Sequence, residues 1–231
     1  MNPSDYRAGE VLLIDKPYRW SSFQAVNKIK HAIKNHPSLV VEGVRTKPKI
    51  GHAGTLDPLA TGLLIVCTGK KTKEINQYMG MDKEYTGTFL MGATTPCFDL
   101  EKPVDHTYPT AHITETLLHA IAQQMTGEQE QVPPLFSAIM IDGKRAYEYA
   151  RAGEAAEIKS RVITIFEFEL TRIALPEVDF RIVCSKGTYI RSIARDFGLA
   201  AQSGAHLTAL RRTRIGPYRV DDAVSPEAFT L

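Results

Sequence analysis

No apolar run in this 231-residue sequence approaches the roughly 20 residues that a membrane-spanning helix needs. The N-terminus, Met1-Asn2-Pro3-Ser4-Asp5, lacks the basic and apolar regions of a secretory leader. A cytoplasmic protein with no membrane partner is therefore expected. Cysteine is scarce: Cys67, Cys97 and Cys184 lie far apart and form no C-x-x-C pair, so reduced thiols and no structural zinc are expected. Excess charge is also small, and a formal net charge of +2 does not by itself establish a nucleic-acid partner. Three catalytic signatures are missing. Gly62 and Gly69-Lys70 are six residues apart rather than the four of a phosphate-binding loop, and Lys71 stands where that loop needs Ser or Thr. There is no G-x-S-x-G elbow and no H-E-x-x-H pair, so hydrolase and metalloenzyme readings have no support.

Positive charge, though small in sum, is clustered. Lys70-Lys71-x-Lys73, Arg45-x-Lys47-x-Lys49 and Arg211-Arg212-x-Arg214 are three basic runs that can form an electrostatic footprint for phosphates. The competing reading of each is a solvated surface.

Periodicity predicts a short strand at 10–14 ended by Pro17, then a helix capped by Ser21 or Ser22 that carries Val26, Ile29 and Ile33 through about Asn35. A polar loop over 36–50 follows, and with little to bury it is expected to be loosely ordered. Strands are expected at 63–66 and 84–91, with a short helix at 71–79 between them. The spacing of Ile113, Leu117, Ile121 and Met125 predicts a helix over 112–125 stopped by Gly127. Phe136 to Ile141 reads as a strand ending in an Asp142-Gly143 turn, and 147–151 as a helix closed by Gly153. Residues 161–173 and 178–184 read as an antiparallel pair, followed by a helix with Ile190, Ala194 and Phe197 on one side and a last strand over 206–215. Strands interrupt helices without βαβ alternation. The predicted class is α+β, a largely antiparallel mixed sheet flanked by helices, in a single catalytic domain spanning 1–231.

The stretch most suggestive of chemistry is Gly51-His52-Ala53-Gly54-Thr55-Leu56-Asp57-Pro58-Leu59-Ala60-Thr61-Gly62. Its glycines permit close approach of another molecule to the backbone. Pro58 keeps Asp57 out of the α region, so the carboxylate sits on restricted, extended backbone. Read alone, Asp-Pro in a Gly-rich loop is more often turn chemistry than catalysis.

The order of several long motifs resembles the TruB family of bacterial tRNA pseudouridine-55 synthases, along nearly the whole chain. The 51–62 stretch is similar to that family's catalytic motif, and Leu13-Ile14-Asp15-Lys16-Pro17 to its N-terminal one. Tyr147-Glu148-Tyr149-Ala150-Arg151, Ser185-Lys186-Gly187-Thr188-Tyr189-Ile190-Arg191 and Ala205-His206-Leu207-Thr208-Ala209-Leu210-Arg211-Arg212 resemble three more. The resemblance implies a pseudouridine synthase-like fold and an enzyme that turns uridine 55 in the T loop of tRNA into pseudouridine after base flipping, with no cofactor. Asp57 is implied as the essential carboxylate. Arg191 is implied as the guanidinium that keeps it ionised, and Asp99 as the acid on the other side of Arg191, an Asp57–Arg191–Asp99 network. Tyr85 matches the active-site aromatic that stacks on uracil and handles the C5 proton. Tyr189 and Leu210 match positions that enclose the base, His52 one that contacts the RNA, and Lys16 a structural or RNA-proximal position. The 36–50 segment corresponds to an RNA-facing insertion, its Arg45, Lys47 and Lys49 meeting tRNA phosphates.

The chain departs from the family in two places. The stretch Gly92 to Asp99 lacks the usual extra Thr and Asp before Asp99, and no PUA-type C-terminal domain is expected after Val224-Ser225-Pro226. The implied partner is tRNA, gripped at the T-arm and elbow, with no obligatory protein partner. Two other classes of function compete with this reading. One is an RNA-binding or tRNA-folding module without chemistry, which has no use for a proline-braced carboxylate that repels phosphates. The other, a guide-RNA-dependent modifying subunit, is disfavoured by the compact chain.

Overall fold

The predicted first strand forms as β1 (Val11–Lys16) and stops at Pro17, which has no N–H to continue a ladder. The computed structural model describes residues 4–137, 139–141, 143–154 and 156–230. Helix α1 (Ser22–Ile33) starts at Ser21, whose hydroxyl accepts from the Gln24 N–H while the Gln24 side chain accepts from the Ser21 N–H, a reciprocal capping box. Its Ala25, Val26, Ile29 and Ile33 recur at helical spacing and pack with Ile14, Leu64 and Val66 in one core cluster.

The 36–50 stretch is more ordered than expected. A 3-10 turn (Pro37–Leu39) leads into a small hairpin of β2 (Val40–Val41) and β3 (Val44–Arg45). Leu39 is 1% exposed and belongs to the α1 cluster. Burying one leucine contributes about 2 kcal/mol, enough to anchor a short segment, and the expectation overlooked this single apolar residue because it has no periodic partners.

Strands β4 (Ile50–His52) and β1 both pair antiparallel with β5 (Thr61–Thr68). Successive side chains of a strand point to opposite faces, so β5 sends Leu64 and Val66 to the α1 cluster and Leu63, Ile65 and Cys67 to a second one with Tyr78, Ile215 and Val220. Tyr78 comes from α2 (Ile75–Gly80), which a 3-10 turn over Gly69–Glu74 precedes.

These elements belong to the first of two compact units, Met1–Tyr85 with Leu210–Leu231; the second is Thr86–Ala209. The chain passes from one to the other along β6 (Lys83–Met91). In the second unit, β7 (Ala93–Thr94) and β8 (His106–Thr107) form a short pair, and α3 (Glu115–Gln124) precedes β9 (Gly127–Gln131). Helix α3 starts later than expected because the Thr114 side chain caps it by accepting from the Leu117 N–H. Ile113, Ile121 and Met125 are buried as expected, joined by Leu118 and Ala122, while Leu117 is half-buried.

Of the strand expected at 136–141, the described residues show β10 (Met140–Ile141), paired with β11 (Lys144–Arg145); Ala138 of that strand and Asp142 of the predicted turn lie outside the described residues. Helix α4 (Ala146–Ala152) ends at Gly153, whose φ of 70° is the left-handed cap glycine tolerates. The long antiparallel pair β12 (Arg161–Ala174) and β13 (Glu177–Cys184) forms as expected, with β9 on the other edge of β12. Helix α5 (Ile190–Ala200) buries Ile190, Ile193, Ala194 and Phe197, and the Phe197 ring meets Phe89, which stacks on Phe180 with centroids 4.2 Å apart.

Strand β14 (Ala205–Ile215) carries the chain back to the first unit, where Arg211 and Arg212 pair in parallel with Thr61 and Gly62 and a hairpin to β15 (Tyr218–Arg219) follows. The strand order is β1-β5-β14 in the first unit and β14-β6-β13-β12-β9 in the second, mixed and mostly antiparallel. No helix among the described residues is long and apolar enough to cross a membrane.

Candidate active site

Asp57 sits half-buried on the loop between β4 and β5, and that loop is held by its backbone at each step. The Gly54 carbonyl accepts from Arg212 Nη2 at 3.0 Å. Leu56, next to the aspartate, is gripped at both polar atoms: the Ser22 hydroxyl accepts from its N–H at 2.8 Å and donates to its carbonyl at 2.9 Å. After the aspartate, the Pro58 carbonyl accepts from the Arg19 N–H at 2.8 Å and from Lys16 Nζ at 3.4 Å. The Ala60 N–H donates to the carbonyl of Asp57 itself at 3.1 Å. The backbone that carries the Asp57 carboxylate is thus restrained on both sides of it.

Two of the holding residues carry no signal of this role in the sequence. Ser22 looked like a possible helix cap, but Ser21 takes that role and frees the Ser22 hydroxyl for Leu56. Arg212 looked like part of a basic run facing phosphates. It is 2% exposed, and its guanidinium donates to the carbonyls of Leu63 and Gly54. The rest of that run is also engaged internally: Arg211 pairs with Asp15 at 2.7 Å and Arg214 with Asp82 at 2.8 Å. The expectation of a phosphate footprint at 211–214 is corrected for Arg212, which is buried, while Arg211 and Arg214 are half-buried in ion pairs. Charge runs in sequence do not reveal which side chains a strand turns inward.

Lys16 has no exposed surface to offer an RNA. Its ammonium donates to the carbonyls of Trp20, Pro17 and Pro58 at 2.6, 3.1 and 3.4 Å, tying β1 and the start of α1 to the Asp57 loop. Burial pushes the Lys16 amine down to about 8; the nearby Asp57 charge opposes that fall and the Arg212 charge adds to it. His52, half-buried on β4, is held below its ordinary value by burial and then by the Arg212 cation, against a smaller opposing effect of the Gly54 backbone. Tyr85 on β6 is 8% exposed, and Leu210 on β14 is half-buried with its carbonyl accepting from the Thr61 hydroxyl at 3.4 Å.

The second unit holds Arg191, Asp99 and Tyr189. Arg191, 4% exposed on α5, lies with Nε 3.7 Å from the Asp99 carboxylate and donates to the carbonyls of Phe136 and Cys97 at 2.9 and 3.3 Å. Asp99 is 6% exposed and follows Phe98, whose φ of 63° turns the chain sharply there; its carboxylate accepts from the Glu101 N–H at 3.0 Å. Tyr189, at the start of α5, is fixed by Gln131, which accepts from its N–H at 2.8 Å and donates to its carbonyl at 3.1 Å, while the Arg161 guanidinium lies 4.6 Å from its ring centroid.

The α+β fold is that of pseudouridine synthases. It overlays a chain of a Cbf5-Nop10-Gar1 complex with a TM-score of 0.70 at 28% identity, over 98% of this chain and 53% of that one. It also overlays a chain of an H/ACA RNP bound to a substrate RNA containing 2'-deoxyuridine, with a TM-score of 0.64 at 26% identity, over 93% of this chain and 50% of that one. This chain thus spans about half the length of those solved chains. Residues 42–190 match the TruB family pseudouridylate synthase N-terminal domain, and residues 191–230 the tRNA pseudouridylate synthase B C-terminal domain. The protein of Flavobacterium johnsoniae named tRNA pseudouridine synthase B is 62% identical over 99% of this chain and 98% of its own length. Its namesake in Phocaeicola vulgatus is 54% identical over 97% and 93%. The chain belongs to the TruB family of pseudouridylate synthases.

Proposed function

We propose that this chain converts uridine 55 in the T loop of tRNA into pseudouridine, with Asp57 as the essential carboxylate. The observation that carries the reading is the restraint of the Asp57 loop by Ser22, Lys16, Arg19 and Arg212, which presents one carboxylate on fixed backbone. The name tRNA pseudouridine synthase B, borne by relatives alike over nearly their whole length, supports tRNA as the substrate.

The reaction breaks the N1–C1′ bond, turns the uracil and rejoins it through C5. A proton leaves C5 and one is gained at N1, so atoms balance with no redox partner and no cofactor. The target base lies inside a folded loop and must be extruded, its lost stacking replaced by protein surface. In this reading Tyr85 stacks on the uracil and handles the C5 proton, and Tyr189 and Leu210 enclose the base. His52 meets the RNA near the vacated stack. Arg191, steadied by Asp99, is the cation that works with Asp57, while Lys16 acts by positioning the loop. Attack on ribose, attack on the base and removal of a ribose proton all use the same carboxylate. The chain acts as one catalytic domain on the tRNA T-arm and elbow, in the cytoplasm and with no obligatory protein partner.

Tritium release from tRNA labelled at uracil C5 tests this. Asp57→Asn keeps the size and loses the charge, so release should vanish while tRNA affinity stays within several-fold. Substantial release by that variant would refute the assignment, and joint collapse of binding and activity would make Asp57 structural.

A further inference from the structure

Two of the three basic runs in the sequence meet in one place. A cavity of about 240 Å³ in the first unit is lined by Arg7, Lys47, Lys49, Lys70 and Lys73, together with Leu39, Thr46 and Gly69. No Asp or Glu is in this lining. The cations come from segments far apart in sequence that the backbone stitches together: the Gly69 N–H donates to the Lys49 carbonyl at 2.9 Å and the Lys70 N–H to the Ala8 carbonyl at 3.2 Å. Gly69 has a φ of 51°, and a side chain there would strike the Arg7 and Tyr6 carbonyls, so the floor of the cavity is tightly packed backbone.

The other candidate cations of the 36–50 segment and the C-terminal run are engaged elsewhere. Arg45 donates to the Lys34 carbonyl and the Asn35 side chain at the end of α1, and Arg211, Arg212 and Arg214 bind internal partners. Lys47, Lys49, Lys70 and Lys73, by contrast, are exposed and make no ion pair or side-chain hydrogen bond among the described residues; Arg7 has the Asp5 carboxylate nearby. Five like charges around one cavity repel one another unless an anion joins them, and phosphate oxygens meet both their charge and their donors.

We propose that this cavity is a phosphate-binding site that grips the RNA backbone away from the reacting base. It opens at the Gly69 end of β5, whereas Asp57 precedes the Thr61 end. An eight-residue strand at about 3.3 Å per residue separates the two ends by roughly 25 Å. The site therefore holds nucleotides that are not being modified, and it adds affinity and orientation without touching the chemistry. A phosphodiester carries one charge, so five cations suit consecutive phosphates of a polyanion better than one free phosphate. This proposal rests on the reading of the chain as a tRNA-modifying enzyme. It also revises the role expected for the 36–50 segment, with Lys47 and Lys49 joined to Lys70 and Lys73 and Arg45 set apart.

The test compares Lys47→Ala/Lys70→Ala/Lys73→Ala with a charge-matched control, Lys28→Ala/Lys30→Ala/Lys34→Ala, at exposed positions of α1 and its C-cap. For the first variant, tRNA affinity near 0.1 M salt should fall about tenfold or more, and the slope of log K against log salt should flatten by about 2, because three lost contacts release fewer counterions. KM should rise with it, while the single-turnover rate at saturating tRNA stays within about twofold. The control should shift each quantity much less. Unchanged affinity and slope, or an equal loss in the control, would overturn the proposal. So would a variant that loses binding of ATP, used as a soluble phosphate probe, yet keeps full affinity for tRNA. Failure here leaves the Asp57 assignment intact, whereas a wild-type protein that neither binds nor converts tRNA would remove the functional reading itself.

Discussion

Ser22→Ala, at a residue 3% exposed, removes the single hydroxyl oxygen that serves both polar backbone atoms of Leu56. The Leu56 N–H and carbonyl then stay buried without that partner, and each such group costs about 1–3 kcal/mol, so a stability loss of about 2–4 kcal/mol is expected in urea titrations. The same change frees the residue immediately before Asp57. A displacement of about 1 Å at a reacting group is on the scale of a hundredfold in rate, so the single-turnover rate of pseudouridine formation should drop about 10- to 100-fold while tRNA affinity holds within a few-fold. The neighbouring Ser21→Ala supplies the internal comparison. It breaks the capping box of the same helix but touches nothing in the Asp57 loop, so it should cost about 1 kcal/mol and leave the rate unchanged. If Ser22→Ala is destabilised but turns over normally, the hydroxyl does not place Asp57. An equal rate loss in Ser21→Ala would trace the effect to the helix end instead.

Gly62 has a φ of 102°, and a β-carbon there would collide with the Arg212 backbone, so Gly62→Ala should lose about 3 kcal/mol or more in urea titration. Gly43→Ala, at a φ of 81° with open space around it, should cost about 1 kcal/mol; equal losses at the two sites would mean that the Gly62–Arg212 approach is not a constraint. The Lys16 amine, pushed down to about 8 in the folded chain from 10.5, binds its proton more weakly there than in the unfolded chain. Stability from this group should therefore rise as pH climbs from 8 towards 10.5, by up to about 3 kcal/mol, and Lys16→Met should lack that rise. Parallel stability-pH profiles of the two proteins over that window would show that the amine is not desolvated as described.

The elements whose patterns are local were legible in the sequence. The alternating β12–β13 pair, the α1 face of Val26, Ile29 and Ile33, and the α4 stop at Gly153 follow from periods of two and 3.6 and from glycine's tolerance of positive φ, properties of neighbouring residues. The Asp57 motif was legible as an ordered string of residue types. Other features depend on contacts that no local pattern encodes. Ser22 meets Leu56 across 34 positions and Arg212 meets Gly54 across 158, so neither spacing nor charge announced them. The same holds for Leu39, whose burial has no periodic partner, and for the cavity where Arg7, Lys47 and Lys70 converge. Side-chain type determined which groups were available for chemistry and for packing. Only tertiary structure decided which arginines turn inward to hold a loop and which lysines stay outside to meet an anion, because burial is a property of the neighbours a residue gains on folding and not of the residue itself.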